Sequence, residues 1–576
     1  MKIDSSAYRG LLWVVWGVVL CLILRLFYLQ VIRHDQYAEK SQDQMERLIK
    51  IYPNRGNIYD RHMTPLALTQ AGYSVYALPD KIENQWVFAK KIAPYLGTTR
   101  KDLTRLFNQN KAPFLWLDRY VSPKVKQAIQ NEGLEGVGFI GTNQRVYPHQ
   151  ELASHVLGFV GVDNQGLAGL DYGFDQDLKG SPGKIIVEGD PRGYQLVSGQ
   201  KKLIPADDGV HLVTTLDEFI QYSAQRHLQA GVEAQSAAGG QAIVMSAKTG
   251  DILAMVDYPT FNSNDWKQQP ASVRKNSCIV DVYEPGSVFK LVTLAASLEE
   301  GLVGPKTAMY VPEVFTIKGV TIKEAHEREE GDPDSYTVSE IIQKSLNVGV
   351  SLMAVQLGES RFYKYIQSFG FGKRTGIQLS GESKGILRPL SDWSGVDIAM
   401  LSFGQGIAVT PLQMVSAVAV FANQGRYLRP RIIDYVADAG FRTRKSVPID
   451  NDRQIISEET AFQVAEVMKE VVERGTGQIV KVPGYGIAGK TGTAQKARKD
   501  GLGYEKSDYI ASFAGFFPVV DPQYVILVLV DSPRKSIWGS SVAGPIFKNI
   551  VTDLIGYAGV VPDRYVEAPS RPTLYQ

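Results

Sequence analysis

The sequence contains little cysteine and little histidine. Two of its 576 residues are cysteines and seven are histidines. Cys21 lies in an apolar N-terminal segment and Cys278 lies far from it, so we expect no internal disulfide framework. The histidines lack the paired spacing of metal ligands, and we interpret the charged segment 324–330 as a solvated loop. The sequence therefore predicts neither a metal site nor a bound cofactor.

Neither sign of charge is in excess. The chain carries 62 basic and 60 acidic residues, for a formal net charge of +2. Proteins that bind nucleic acid carry a clear basic excess or a basic stripe, so we exclude nucleic acid as the main partner. Low-complexity tracts and internal repeats of roughly 20 to 50 residues are also lacking. A chain of this length is expected to divide into two or more domains.

One long apolar run is present, near the N-terminus. Residues 11–24 are apolar without interruption, and after Arg25 the run continues to Ile32. A helix over residues 11–32 would be about 33 Å long, which is enough to cross a bilayer. Because no cleavage signal of small residues follows, we predict an uncleaved anchor. Arg25 is expected to reach the lipid headgroups, although it would also suit a contact with a partner helix.

The first motif with catalytic chemistry begins at Ser287. It follows Pro285-Gly286 and opens an apolar run that stops at Gly301, which predicts a buried helix. In the first turn of that helix, unpaired N–H groups and the helix dipole favour an oxyanion. Lys290 would lie one turn further on the same face. Because serine is a weak nucleophile, it needs a neighbouring base, and Lys290 is the candidate.

Two further motifs follow in the same order along the chain. Ser345 and Asn347 come after a capping box that starts at Thr337, and they share one cavity only if the chain leaves regular helix there. The segment 490–493 (Lys-Thr-Gly-Thr) alternates β-branched and small residues, which predicts a strand beside a ligand backbone. Its Lys490 would be a second cation facing the cleft. Any one motif alone is better explained by a solvated helix face or a turn.

The ordered set resembles the motifs of the penicillin-recognising serine acyltransferases. Across nearly the whole chain, further motifs are similar to those of class B penicillin-binding proteins, especially the division-type (septal) peptidoglycan D,D-transpeptidases. Two departures stand out: His62-Met63 occupies a position where Asn-Gly is usual, and Asp171 stands where Glu is usual. The segments that carry the resemblance outside the catalytic set are 55–61, 145–148, 155–158, 166–171, 250–255, 402–406 and 543–547.

The resemblance implies an α+β fold of the penicillin-binding transpeptidase type, an antiparallel sheet with flanking helices and a helical subdomain. The residues agree, because two pairs of strand-like segments with short connections bracket a helical stretch. An elongated pedestal and one transmembrane helix would precede it. The expected division is a cytoplasmic tail (1–10), a transmembrane helix (11–32), a pedestal or dimerisation-like domain (33–207), a transpeptidase domain (208–560) and a tail (561–576).

The resemblance also implies a reaction. Ser287 would attack a stem pentapeptide after a neutral Lys290 takes its proton, and the N–H groups of Ser287 and Thr493 would hold the oxyanion. The other expected roles are proton relay for Ser345, contact with the substrate amide for Asn347, a catalytic cation for Lys490, and binding of the substrate carboxylate for Thr491, Gly492 and Thr493.

Partners and location follow from the same resemblance. The expected partners are the peptidoglycan stem pentapeptide, lipid-linked or on a nascent glycan strand, β-lactams, a membrane glycan polymerase and other cell-division proteins. The expected location is the cytoplasmic (inner) membrane, with a single span, the N-terminus inside and the catalytic domain on the periplasmic or extracellular side.

Several alternatives stay open from the sequence. An elongation-type transpeptidase of the lateral wall, a β-lactam hydrolase and a binding scaffold with vestigial motifs would all carry similar residues. Residues 484–491 also fit a phosphate loop, and residues 524–531 imitate an apolar strand that ends in a magnesium-binding aspartate. A phosphate loop must open a helix, however, and residues 492–501 show no apolar helical stripe. An ATPase is therefore the weakest alternative.

Overall fold

The computed structural model describes residues 5–37, 40, 46–110, 112–188, 201–325, 331–450, 453–498 and 503–563. The chain forms two compact units. The first comprises Met1–Asn54 and Gly180–Gly209, and the second comprises Arg55–Lys179 and Val210–Gln576.

The first unit contains an apolar N-terminal helix and a small sheet. The helix runs over Ser5–Phe27 and continues as a π-helical turn over Tyr28–Ile32. Within the described ranges, Arg9–Ile32 is the one helical stretch long and apolar enough to span a membrane, which fits the predicted anchor. The sheet is antiparallel, with Gly183–Glu188 between Glu46–Ile51 and Lys201–Ile204.

The N-terminal part of the second unit is built on a long strand, Pro65–Ala77. This strand pairs antiparallel with both Leu115–Val121 and Val137–Val146. The same sheet continues through short strands that come from distant parts of the chain, and its order is Arg444–Ser446, Ile433–Ala437, His211–Thr214, Ile58–Tyr59, Pro65–Ala77 and Leu115–Val121. The helices against its outer part are Gln85–Ile92, Arg100–Gln109 and Pro123–Asn131.

A buried ion network includes the unusual Asp171. Its carboxylate lies 2.9 Å from Arg55 Nε and 3.0 Å from Arg145 Nη2, and it accepts a hydrogen bond of 2.7 Å from the Tyr147 hydroxyl. All four side chains are almost completely buried. Burial of a carboxylate is costly unless it is paired with a cation and hydrogen-bonded, and these three partners satisfy both conditions. Aspartate at this position therefore still reaches both arginines.

The catalytic half of the second unit contains a five-stranded antiparallel sheet. Its order is Ile252–Tyr258, Gly239–Ser246, Tyr524–Asp531, Tyr504–Phe517 and Ala488–Ala497. The first two strands precede the helical subdomain in the chain and the other three follow it, as the sequence predicted. Ala488–Ala497, called the edge strand below, has a neighbour on one side only.

Both faces of this sheet are buried. In the central strand, Leu527 and Leu529 belong to one hydrophobic core, whereas Ile526 and Val528 belong to another. This alternation follows from the two-residue period of a strand. Helices Glu218–Ala234 and Gly539–Ala558 cover one face, and the helical subdomain covers the other.

The predicted capping box at Thr337 forms, and two more helices of the subdomain begin at capping residues. Thr337 and Thr410 each form a complete capping box, and the Ser457 hydroxyl accepts from Thr460 N. A short hairpin, Val314–Ile317 and Val320–Lys323, lies in the same region of the chain. The bounds of the main helices are Lys290–Glu299, Val338–Gln343, Asn347–Leu357, Glu359–Ser368, Asp397–Ser402, Pro411–Ala422 and Glu458–Glu473.

Candidate active site

Ser287 lies in a one-turn 3₁₀ helix, Gly286–Phe289, that leads directly into helix Lys290–Glu299. Residues three apart in a 3₁₀ helix are eclipsed, so Ser287 and Lys290 leave the chain on the same side. Ser287 is half-buried, and its hydroxyl forms no hydrogen bond with the described part of the chain. It is therefore free to approach a ligand.

The Ser287 turn, defined as Gly286–Phe289, packs against the edge strand. Gly286 has φ +55°, and a Cβ atom added there would lie 3.2 Å from Thr493 O. A Cβ added at Gly492 would lie 2.3 Å from Ser512 Oγ and 2.9 Å from Val288 Cγ2. Glycine is favoured at Gly286 by the positive φ, and at Gly492 because a Cβ atom would collide with the side chains of Ser512 and Val288.

Lys290 is completely buried and its amine meets three oxygen atoms. Nζ lies 2.6 Å from Ser345 O, 2.7 Å from Asn347 Oδ1 and 3.3 Å from Ser345 Oγ. Burial lowers the pKa of Lys290 to about 7, while the negative charge of Glu324 acts in the opposite direction. Near neutral pH, this amine can therefore be a proton acceptor.

Ser345 connects the two buried lysines. Its backbone is in the left-handed region, with φ +59°, between helix Val338–Gln343 and helix Asn347–Leu357. The chain thus leaves regular helix at the motif, which is the condition for Ser345 and Asn347 to share one cavity. The hydroxyl accepts a hydrogen bond of 2.9 Å from Lys490 Nζ and is also within reach of Lys290. It keeps its own proton to donate, which suits a proton relay.

Lys490 is completely buried on the edge strand, and its Nζ also reaches Thr491 O at 3.2 Å. Burial, with the charge of Lys290 as a second cause, lowers the pKa of Lys490 well below its usual value. The repulsion between the two lysines thus acts on Lys490, whereas the charge that acts on Lys290 is Glu324.

Asn347 begins its helix and is held on two sides. Its Oδ1 accepts from Lys290 Nζ at 2.7 Å, and its Nδ2 donates to Lys323 O at 3.0 Å. Glu324 accepts hydrogen bonds from the backbone N–H groups of Asn347 and Val348. The interpretation of segment 324–330 as a solvated loop was wrong for Glu324. Residues 326–330 lie outside the described residues.

The two threonines of the edge strand lie on one face because they are two residues apart. Thr491 Oγ1 is 3.0 Å from Thr476 Oγ1, and Thr493 Oγ1 accepts from Gly539 N at 3.1 Å. Each hydroxyl retains further hydrogen-bonding capacity. Sequence reasoning missed Thr476, because a single threonine that belongs to no motif gives no local signal of function.

The structure brings Lys290, Ser345, Asn347 and Lys490 into one hydrogen-bonded network, beside the Ser287 turn and the edge strand. The described residues contain no group of three or more His, Cys, Asp or Glu side chains arranged to hold a metal ion. The network and the Ser287 turn bring together serine hydroxyls, two buried amines and backbone N–H groups. This fold and this set of side chains are those of a serine enzyme of the penicillin-recognising class.

Comparison with known proteins gives the family. The model of the penicillin-binding protein transpeptidase domain matches residues 240–552, and that of the penicillin-binding protein dimerisation domain matches residues 50–214. The chain belongs to the class B penicillin-binding proteins. The predicted family and the predicted fold class are therefore confirmed.

Similar proteins cover almost the whole chain. Stage V sporulation protein D of Bacillus subtilis is 36% identical over 98% of this chain and 88% of that protein. The peptidoglycan D,D-transpeptidase FtsI of Escherichia coli is 31% identical over 94% of this chain and 90% of that protein. The crystal structure of penicillin-binding protein 3 from Mycobacterium tuberculosis with aztreonam is 30% identical, with a TM-score of 0.70 over 89% of this chain and 98% of that one.

The phosphate-loop alternative does not fit the structure. Residues Ala488–Ala497 form a strand rather than the start of a helix, and the sheet around them is antiparallel. A phosphate loop needs a helix N-terminus for its phosphates. The interpretation of residues 484–491 as the phosphate loop of an ATPase is therefore excluded.

Proposed function

We propose that this chain is a membrane-anchored peptidoglycan D,D-transpeptidase that cross-links stem peptides through an acyl-enzyme on Ser287. The observation that carries the proposal is the buried amine of Lys290, one helical turn from Ser287 and joined to Lys490 through the Ser345 hydroxyl. Relatives named as peptidoglycan D,D-transpeptidases support the same reaction.

In the first half-reaction, Ser287 Oγ attacks the carbonyl carbon of the penultimate D-Ala of a stem pentapeptide. The hydroxyl proton moves to the neutral Lys290 amine. The backbone N–H groups of Ser287 and Thr493 stabilise the oxyanion, and losing one such donor typically costs on the order of 100-fold in rate. The peptide C–N bond then breaks, and the terminal D-Ala leaves with a proton delivered through Ser345.

In the second half-reaction, an amine of another stem attacks the ester carbonyl on Ser287. The amine gives up one proton through Ser345 to Lys290, the ester C–O bond breaks, and Ser287 regains a proton from Lys290. One D-Ala is released for each cross-link formed. Two buried amines bridged by one hydroxyl suit both directions of proton transfer.

Substrate orientation comes from the edge strand and from Asn347. An extended peptide adds beside the edge strand through backbone hydrogen bonds. Its terminal carboxylate lies near Lys490 and contacts Thr491 and Thr493, with Gly492 allowing the close approach. Asn347 contacts the substrate amide. Penicillins, which carry an equivalent carboxylate, acylate the same serine, and the ampicillin complex of the mycobacterial relative supports this extension.

The biological setting is division rather than elongation. Similarity to FtsI, and to PbpB proteins of mycobacteria, supports septal wall synthesis. The helix at Arg9–Ile32 anchors the chain in the cytoplasmic membrane, with residues 1–10 inside and the transpeptidase domain, residues 208–560, outside. The pedestal, residues 33–207, and the anchor offer surfaces to a glycan polymerase and to other division proteins.

Mass spectrometry of the full chain after penicillin treatment tests this function. We expect one adduct per chain on the peptide that contains Ser287, no adduct in Ser287→Ala, and a lifetime far longer than seconds. Loss of the adduct within seconds would identify a β-lactam hydrolase. An adduct retained in Ser287→Ala would refute the assignment of the nucleophile.

A further inference from the structure

A carboxylate from a separate part of the chain caps the N-terminus of helix Asn347–Leu357. Glu324 lies directly after strand Val320–Lys323, and its two oxygens accept the backbone N–H groups of Asn347 and Val348, the latter at 3.1 Å. The first N–H groups of a helix lack partners within it and carry its positive dipole end. Glu324 therefore fixes the position where this helix begins.

The residue before Glu324 holds the side chain of the same asparagine. Asn347 Nδ2 donates to Lys323 O at 3.0 Å, which leaves Oδ1 directed at Lys290 Nζ, 2.7 Å away. Lys323 and Glu324 thus fix both the backbone and the amide of Asn347. Asn347 in turn accepts a hydrogen bond from the Lys290 amine. Lys323 and Glu324 therefore act on the proposed base through Asn347.

Glu324 is also the negative charge that acts on Lys290. The groups that meet Lys290 are the hydroxyl and carbonyl of Ser345, the amide of Asn347 and, across Ser345, the amine of Lys490. Burial favours the neutral form of Lys290, and the Glu324 charge favours the protonated form. The balance of these two effects keeps the amine able both to take and to return a proton.

We propose that Glu324 is a positioning residue of the acyl-transfer site, which holds Asn347 in place and adjusts the protonation of Lys290 through its charge. This inference rests on the proposed function. Its contacts are made to backbone and side-chain atoms of the site and not to substrate, so Glu324 acts through Asn347 and Lys290. A purely structural cap would stabilise the helix but leave the pH dependence of acylation unchanged.

The pH profile of penicillin acylation in the full chain tests the inference. Glu324→Gln keeps the size of the side chain and removes its charge, so the rising limb of the rate profile should move to lower pH by roughly half a unit or more. Glu313→Gln removes one negative charge from an exposed position and should follow the unchanged chain. Coincident limbs for Glu324→Gln and the unchanged chain would overturn the proposal.

A second variant separates charge from position. Glu324→Asp keeps the charge but shortens the side chain, so the limb should stay in place while the plateau rate falls about tenfold. An unaltered plateau would contradict the positioning role, and this variant decides the matter if Glu324→Gln does not fold. Acylation of Ser287 in the unchanged chain is the separate test of the proposed function, so failure of that function and failure of the Glu324 role give different results.

Discussion

Two buried amines dominate the chemistry at the scale of single residues. Lys290 and Lys490 are both completely buried, and no carboxylate in the described ranges forms an ion pair with either. Transfer of an ammonium group out of water without a paired carboxylate is costly, so the neutral form is favoured. Burial, rather than a neighbouring histidine or carboxylate, is therefore what makes the proposed base Lys290 neutral near pH 7.

Acylation should depend on the protonation of Lys290. Because burial lowers its pKa to about 7, the acylation rate should rise with pH through this value and stand at about one tenth of its plateau near pH 6. Lys290→Arg cannot supply a neutral base and should lower the rate at least about 100-fold. Stopped-flow measurement with a fluorescent penicillin checks both, and a full rate in the arginine variant would contradict the mechanism.

The same pKa shift predicts a pH dependence of stability. The unfolded chain holds the Lys290 proton up to about pH 10.5 and the folded chain only up to about 7, so the unfolded state binds more protons between these values. Stability relative to Lys290→Met should therefore rise with pH across that window and be least favourable below pH 7. Urea unfolding of both proteins at several pH values checks this, and a constant difference would argue against a buried neutral amine.

Met63 carries backbone strain where the family usually has glycine. Its φ is +68°, which is unfavourable for a residue with a Cβ atom. Met63→Gly should be more stable than Met63→Ala by about 1 kcal/mol, because only glycine relieves the strain. Thermal unfolding of the two variants measures the difference, and both lose the weak contact of Met63 Sδ with the Tyr435 hydroxyl. Equal stabilities would show that the turn accommodates a side chain without strain.

Single residues were predictable where the chain itself brings them together. Ser287 and Lys290 are three apart, and Ser345 and Asn347 are two apart, so sequence spacing is informative about each pair. Glu324 was misinterpreted because its contact with the Asn347 helix joins distant parts of the chain. No local pattern distinguishes a carboxylate that caps a distant helix from one in solvent.

At the scale of elements, helix starts were predictable and one close approach was not. Caps are local, and the capping box at Thr337 forms as the sequence indicates. The edge strand was also predicted, from its alternating small and β-branched residues. Its position at the edge of the sheet, against the Ser287 turn, was not predictable. That position depends on strand pairing over long separations in sequence.

The fit between the edge strand and the Ser287 turn should be intolerant of added volume. A Cβ atom at Gly492 would collide with Ser512 and Val288, so Gly492→Ala should separate the two elements and lower acylation about 100-fold. Gly556→Ala, in helix Gly539–Ala558 with nothing within 4 Å, is the matched control and should acylate normally. The fluorescent penicillin assay compares them. A normal rate for Gly492→Ala would show that the contact is adaptable.

At the scale of the whole molecule, the α+β class and the helical insert between two groups of strands were predictable from hairpin and cap signals. The shared sheet that joins Ile58–Tyr59 to His211–Thr214 and Ile433–Ala437 was not. These strands are too short to give a periodic pattern, and they pair across long separations. Residues 55–179 belong to the same compact unit as the catalytic half, and the proposed boundary at 207/208 stays a prediction.

Acyl transfer to an amine is the central claim, and product stoichiometry tests it most directly. The full chain in membranes would be supplied with nascent glycan strands that carry stem pentapeptides, and cross-links and free D-Ala would be counted together by liquid chromatography and mass spectrometry. We predict one D-Ala released per cross-link, with both products absent in Ser287→Ala and after penicillin. Release of D-Ala without cross-links, or cross-links formed by Ser287→Ala, would contradict the account.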